Sequence, residues 1–147
     1  ALDSNVKVGV KWPNDLLIGE KKFAGMIAQA TDKGVVLGIG INVGMSQEEL
    51  PVENATSLSI QGFANLDRNE ILASIINHFE INMQLWELDQ SFLAAYRESS
   101  VTIGKDVSVT IPGGEVIESK AVDISDTGAL MLANGKEVTV GDVVHLR

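Results

Sequence analysis

The sequence predicts an α+β fold, and three stretches of differing pattern support this class. Residues 6–44 are rich in β-branched residues and closely spaced turns, residues 66–96 carry apolar side chains at helical spacing, and residues 101–146 return to short strands. We therefore expect a mixed or antiparallel sheet with packed helices, followed by a small SH3-like β-barrel. The expected domains are residues 1–98 and 99–147.

The first stretch, residues 6–44, is predicted to form antiparallel hairpins. Strands are predicted over residues 6–10, 16–18, 23–30 and 35–43, with polar turns at residues 19–22 and 32–34. Residues 44–65 have little periodicity, so we expect a long loop there with one short strand over residues 57–60.

Two helices are predicted next. Asp67 followed by Glu70 resembles a capping box, and the apolar spacing behind it predicts a helix over residues 68–87. Asp89 is expected to cap a shorter helix that ends near Glu98. We expect two aromatic residues to pack in the helical core, Trp86 and Tyr96.

The last stretch predicts five short strands separated by glycine-containing turns. The strands are expected over residues 101–111, 116–124, 129–132, 138–140 and 143–146. Short strands at this spacing favour an SH3-like barrel.

Composition excludes several classes of protein. A net charge of -9 argues against a nucleic-acid partner, because such binding needs many Lys and Arg contacts. The absence of cysteine and the presence of only two histidines exclude disulfides and make a transition-metal site implausible, so any metal would be magnesium. No apolar run is long enough to span a membrane and residues 1–3 do not look like a secretory signal, so we expect a cytoplasmic protein.

The segment Lys11-Trp12-Pro13-Asn14-Asp15 directly follows a predicted strand. Pro13 biases the backbone to leave the sheet there, which places Lys11 at a strand end. A lysine at that place could screen a ligand carboxylate from a phosphate, since two like charges about 4 Å apart repel by roughly 4 kcal/mol at an effective dielectric constant of 20. The other interpretation is an ordinary Pro-Asn turn flanked by a solvated lysine and a buried tryptophan.

Gly38 and Gly40 alternate with apolar residues and therefore face one side of a strand, leaving a bare backbone floor that a flat ligand could approach. A bulge or bend explains the glycines equally well. Asn42 faces the same side and could offer its amide to magnesium or to a phosphate. Gly25 extends the floor if its strand pairs with that of Gly40, or else relieves twist.

Together these segments resemble the bacterial biotin protein ligase family. The resemblance lies in Lys11-Trp12-Pro13-Asn14-Asp15-Leu16-Leu17, Lys22-Phe23-Ala24-Gly25-Met26 and Gly38-Ile39-Gly40-Ile41-Asn42, in that order, and extends to the later helix and barrel. It implies an incomplete catalytic core like that of class II synthetases. It also implies a two-step reaction, in which biotin and ATP form biotinyl-5'-AMP with the help of magnesium, and the biotinyl group then passes to a lysine of a carboxylase's biotin carrier domain.

The resemblance also implies roles for individual residues. Lys11 matches a catalytic lysine that contacts the biotin carboxylate and phosphate region, and Gly38 and Gly40 match the biotin floor, to which Gly25 would belong. Asn42 matches a residue near the phosphates and the magnesium ion. Arg147 matches a position where the barrel reaches towards the nucleotide, although a terminal arginine is also often simply solvated.

One departure from the family concerns a Gly-Arg-Gly-Arg-like loop that folds over the adenylate and has no counterpart in this chain. Such a loop supplies positive charge and excludes water. We therefore expect the isolated chain to ligate biotin poorly. Two alternatives stay open: a non-catalytic module that binds biotin or another protein, and a relative of lipoate ligases. Exposed sheet edges would favour pairing with a second chain, so a homodimer is a further possibility.

Overall fold

The computed structural model describes residues 6–64, 66–88 and 91–146. Nine strands and two helices occur among them, which confirms the α+β class. In chain order they are β1 (Val8–Lys11), β2 (Asp15–Ile18), β3 (Lys21–Thr31), β4 (Gly34–Ile41), α1 (Arg68–Glu87), α2 (Leu93–Ser99), β5 (Asp106–Thr110), β6 (Val116–Ile124), β7 (Leu130–Leu132), β8 (Glu137–Val138) and β9 (Asp142–His145).

The strands form two sheets, with orders β1-β2-β3-β4 and β8-β7-β6-β5-β9. The chain divides into two compact units. The first unit comprises Ala1–Val8 and Leu16–Phe92, and the second comprises Gly9–Asp15 and Leu93–Arg147. The short segment Gly9–Asp15 thus belongs to the same unit as the C-terminal sheet, which sequence periodicity did not indicate.

The first unit has a small core built on Phe23, Ala24 and Leu58. Its long loop is attached to the sheet by backbone hydrogen bonds, since Thr56 N donates to Lys22 O at 2.8 Å and Leu58 N donates to Asn42 O at 2.9 Å. The strand predicted over residues 57–60 is wrong, because turns occupy residues 58–62. The hydroxyl of Ser57 accepts a hydrogen bond from Ile60 N at 3.2 Å, a local bond that competes with strand pairing.

Helix α1 has the predicted bounds, and Asp67 caps it by accepting hydrogen bonds from Asn69 N at 2.7 Å and Glu70 N at 3.4 Å. Ile71 packs against the core of the first unit. The expectation that Trp86 is a core residue is wrong, because its side chain is 62% exposed. Helical periodicity identifies an apolar face but does not establish that another element covers it. Among the described residues, no helix is both long and apolar enough to cross a membrane.

The second unit contains the five strands predicted from residue 101 onwards, paired antiparallel. The first of them is shorter than predicted and begins at Asp106. Gly104 has a φ of 86°, and Lys105 N donates to Thr102 O at 3.1 Å, so a turn replaces the expected start of the strand. The closed SH3-like barrel stays a prediction.

Helix α2 belongs to the second unit and is joined to β6 by Arg97. Its Nε donates to Asp123 Oδ1 at 2.8 Å and to Ile124 O at 3.1 Å. The expected cap at Asp89 lies outside the described residues. The second compact unit resumes at Leu93, before the predicted domain boundary between residues 98 and 99. That boundary itself stays a prediction.

Trp12 fills the core of the second unit. Its side chain is 2% exposed and belongs to the same apolar cluster as Val107, Ile124 and Leu130. The indole Nε1 donates to Gly128 O at 3.0 Å. A buried indole needs such a partner for its N–H group, and the turn at Gly128 provides it. The interpretation of Trp12 as a buried residue is therefore confirmed.

Replacing Trp12 with alanine should destabilise the second unit by about 3–5 kcal/mol, because it removes a large buried side chain and leaves a cavity. Trp86→Ala is the matched control and should change stability by about 0.5 kcal/mol or less, since that side chain is largely exposed. Urea unfolding followed by NMR at Val107 and Ile124 measures both. Equal effects of the two substitutions would contradict the assignment of Trp12 to the core.

Candidate functional site

Strands β3 and β4 bring three of the predicted site residues to neighbouring positions. Gly25 lies opposite Gly40, and Gly38 lies opposite Ile27. Pairing runs without interruption from Ala24↔Ile41 to Thr31↔Gly34, so of the two alternatives, a bulge or a bend, the bulge is wrong. Paired residues share a face of a sheet, so Gly25 lies on the same face as Gly40, and its part in a ligand floor stays a prediction.

The positions on this glycine floor (Gly25, Gly38 and Gly40) differ in their surroundings. A Cβ atom added at Gly40 would come no closer than 4.0 Å to its nearest neighbour, Gly25 O. One added at Gly38 would lie 3.1 Å from Ile27 Cγ2. The floor is therefore open above Gly40, whereas the Ile27 side chain borders it at Gly38.

Asn42 is held firmly just beyond the end of β4. Its backbone N donates to Phe23 O at 2.8 Å, and its side-chain Nδ2 donates to Thr56 O at 3.0 Å. The second bond fixes the orientation of the amide, so that Oδ1 is the atom suited to a cation or a donor group. Sequence reasoning missed the role of Thr56, because it lies in a loop without periodicity.

Lys11 lies at the end of β1, as expected, although the strand runs over Val8–Lys11 and not over the predicted residues 6–10, and Lys11 belongs to the second compact unit. The residues on either side of it are bound within that unit. Val10 O accepts a hydrogen bond from Val101 N at 2.9 Å, and Trp12 N donates to Thr102 Oγ1 at 3.0 Å. Arg147, the other residue expected to approach the nucleotide, lies outside the described residues.

Tyr96 also contacts the segment that carries Lys11. Its hydroxyl donates to Pro13 O at 3.0 Å, and its ring packs against the apolar core of the second unit. Burial of the ring raises the pKa of Tyr96 to about 12. The hydroxyl therefore remains a hydrogen-bond donor throughout the neutral range. The sequence indicated Tyr96 only as a packing residue.

Acidic and histidine side chains do not form a metal centre in the part of the chain that the structure describes, where no group of three or more potential His, Cys, Asp or Glu ligands occurs. The oxygen of Asn42 suits a hard cation such as magnesium. Magnesium commonly takes one or two protein oxygens and completes its shell with water and substrate phosphates. Asn42 Oδ1 alone could therefore supply at most one protein ligand to such an ion, and a magnesium site stays a prediction.

Two family models match the chain. Residues 2–46 match the biotin/lipoate A/B protein ligase family, and residues 102–146 match the biotin protein ligase C-terminal domain. Over 145 residues the chain is 43% identical to a biotin--[acetyl-CoA-carboxylase] ligase of Mycobacterium tuberculosis, covering 96% of this chain and 54% of that protein. It is 33% identical to the bifunctional ligase/repressor BirA of Escherichia coli, covering 86% of this chain and 41% of that protein.

Solved structures agree with this result. The apo biotin protein ligase of Aquifex aeolicus superposes with a TM-score of 0.80 at 25% identity, covering 95% of this chain and 66% of that one. The same enzyme in complex with biotin and ATP gives a TM-score of 0.76 at 28% identity, covering 95% and 62%. The fold and these matches place the chain in the biotin and lipoate protein ligase class. Within that class, the chain belongs to the biotin protein ligase family. It spans about half the length of the curated relatives it matches.

The raised pKa of Tyr96 leads to a spectroscopic prediction. Tyr96 is the only tyrosine of the chain, so alkaline titration of phenolate absorbance reports on it alone. We expect ionisation centred near pH 12 in the folded protein. Because the folded-state pKa lies above the unfolded value of about 10, the associated stability is complete below pH 10 and is lost as the pH rises towards 12. A midpoint near 10 while circular dichroism still shows folded protein would contradict burial of the ring.

Proposed function

We propose that this chain carries the biotin- and ATP-binding residues of a biotin protein ligase. In the proposed reaction, biotin and ATP give biotinyl-5'-AMP and pyrophosphate, and a lysine of a biotin carrier domain then accepts the biotinyl group with release of AMP. The observation that supports this most directly is the open glycine floor, formed by Gly25 opposite Gly40, with Asn42 held just beyond the end of β4. The proposed acceptor belongs to a carboxylase, in line with the name of the Mycobacterium tuberculosis relative.

The glycine floor suits the flat ring system of biotin. Side chains on neighbouring strand positions would keep a ligand away from the backbone, whereas glycine allows close approach. The open surroundings of Gly40 support this role, and Ile27 beside Gly38 provides an apolar wall. Biotin has an apolar ring body, which such a surface binds by excluding water.

Lys11 is proposed to lower the barrier of the first step. The biotin carboxylate must approach the α-phosphate of ATP, and both groups are anionic. At about 4 Å two unit charges repel by roughly 4 kcal/mol at an effective dielectric constant of 20, so an ammonium group beside them removes a substantial part of the barrier. Lysine acts here as a point charge and does not need to transfer a proton.

Asn42 Oδ1 is the protein atom proposed to hold magnesium at the phosphates. When bound, the ion neutralises charge that develops on the phosphate oxygens. The hydrogen bond from Asn42 Nδ2 to Thr56 O keeps the amide from rotating and so presents the oxygen in one direction. We place the reaction in the cytoplasm and leave pairing with a second chain as a further proposal.

The first experiment measures ATP-dependent transfer of labelled biotin to a carrier domain. We expect slow turnover by this chain, because it contains no Gly-Arg-Gly-Arg-like loop to cover the adenylate. Lys11→Ala should reduce biotinyl-5'-AMP formation by about a hundredfold, the loss typical of removing one electrostatic contact in a reaction site. Lys11→Arg is the charge-preserving control and should retain more activity. A large fall in melting temperature for Lys11→Ala would instead indicate a structural lysine, and biotin binding without any adenylate would favour a non-catalytic module.

Gly40→Ala tests the floor separately from the fold. The added methyl group has room in the protein, so the melting temperature should not fall, but it would occupy the space proposed for biotin. We expect calorimetry to show biotin affinity reduced by about tenfold or more, equivalent to about 1.4 kcal/mol. Gly44→Ala is the control, because an added Cβ there meets open space and Gly44 lies outside the floor. Undiminished biotin binding by Gly40→Ala would exclude this face as the biotin site.

A further inference from the structure

The backbone around Lys11 is fixed on both sides by residues of the second unit. Before Lys11, Val10 forms a bridge with Ser100 and its carbonyl oxygen accepts a hydrogen bond from Val101 N. After Lys11, Trp12 N donates to Thr102 Oγ1 at 3.0 Å. Lys11 therefore lies between two anchored residues. The backbone hydrogen bonds of Val10 and Trp12 fix the position of its Cα atom, and the Lys11 side chain is not needed for this.

Thr102 stands out among these contacts. Its side chain is fully buried, at 0% exposure, and the same Oγ1 lies 3.1 Å from His145 Nε2. A threonine oxygen can accept from Trp12 N and donate its single proton to a ring nitrogen, so one hydroxyl can satisfy both neighbours. Valine has the same shape but would leave the Trp12 N–H without this partner.

Tyr96 binds Pro13, the residue that follows Trp12. Its hydroxyl donates to Pro13 O at 3.0 Å, while Trp12 Nε1 donates to Gly128 O at 3.0 Å. Thr102 and Gly128 thus bind Trp12, and Tyr96 binds Pro13, so hydrogen bonds hold both residues that follow Lys11. A lysine side chain is long and flexible, so the chain must fix the Cα atom if the ammonium group is to reach a defined place.

We infer that Thr102 and Tyr96 are positioning residues for Lys11. The inference rests on the proposed function, because it assigns to them the task of placing the charge that screens carboxylate from phosphate. Neither residue is proposed to touch the ligand. A displacement of about 1 Å in a reacting group can cost on the order of a hundredfold in rate, so small movements of this backbone matter.

The experiment compares the unmodified chain with Thr102→Val, Thr102→Ser and Tyr96→Phe. Thr110→Val is the matched control, because Thr110 is an exposed threonine at the end of β5 in the same unit. NMR measures amide hydrogen exchange at Trp12 and the backbone order parameter at Lys11. Calorimetry measures affinity for biotinyl-5'-AMP, and circular dichroism confirms that each variant is folded at the temperature used.

For Thr102→Val we expect Trp12 amide exchange to accelerate about tenfold, the Lys11 order parameter to fall towards about 0.6, and affinity for biotinyl-5'-AMP to drop about tenfold. Thr102→Ser should restore all three, Tyr96→Phe should shift them in the same direction by less, and Thr110→Val should leave them unchanged. The inference is overturned if Thr102→Val leaves the order of Lys11 unchanged, or if Thr110→Val has an equal effect. Failure of the unmodified chain to bind biotinyl-5'-AMP would count against the proposed function, while the order of Lys11 would still decide the positioning inference.

Discussion

Burial of the Trp12 side chain determines where Lys11 lies. The indole occupies the apolar core of the second unit, and its N–H group bonds to Gly128 O. Because Lys11 immediately precedes Trp12, the segment that carries the charge cannot move independently of that core. A residue near the start of the sequence is thereby incorporated into a unit built mainly from the last third of the chain. The energy that holds it there comes from removing a large aromatic surface from water.

In the first unit, the corresponding constraint is the register of β3 against β4. Gly25 meets Gly40 only in the observed alignment, and a slip of one residue would place these glycines on opposite faces. The loop that follows adds a second constraint, since Thr56 O binds the side chain of Asn42. The open floor and the oriented amide therefore depend on backbone pairing and loop attachment more than on a buried core, which is small in this unit.

The parts of the fold that were predicted from sequence are those with a local physical signal. The Asp67 cap and the apolar period gave both ends of α1, and strand alternation placed Gly38 and Gly40 on one face. Contacts between residues that are far apart in the sequence have no such local signal. Nothing in the local pattern couples Trp12 to Gly128 or Asn42 to Thr56, and Ser57 redirected its neighbours into a turn through one side-chain hydrogen bond. For Trp86 the local signal was insufficient: the helix was predicted correctly, but the side chain is exposed.

These contacts make the position of Lys11 a property of the second unit of this chain. Later residues of that unit can therefore affect the backbone beside Lys11 without contacting its side chain. Thr102 shows how this would operate, because a single buried hydroxyl connects β9, through His145, to the backbone at Trp12. A substitution that removes this hydroxyl would leave the Trp12 N–H without that partner, whereas the pairing of Gly25 with Gly40 does not involve Thr102. The proposed charge at Lys11 and the proposed glycine floor therefore depend on separate sets of contacts, one in each unit.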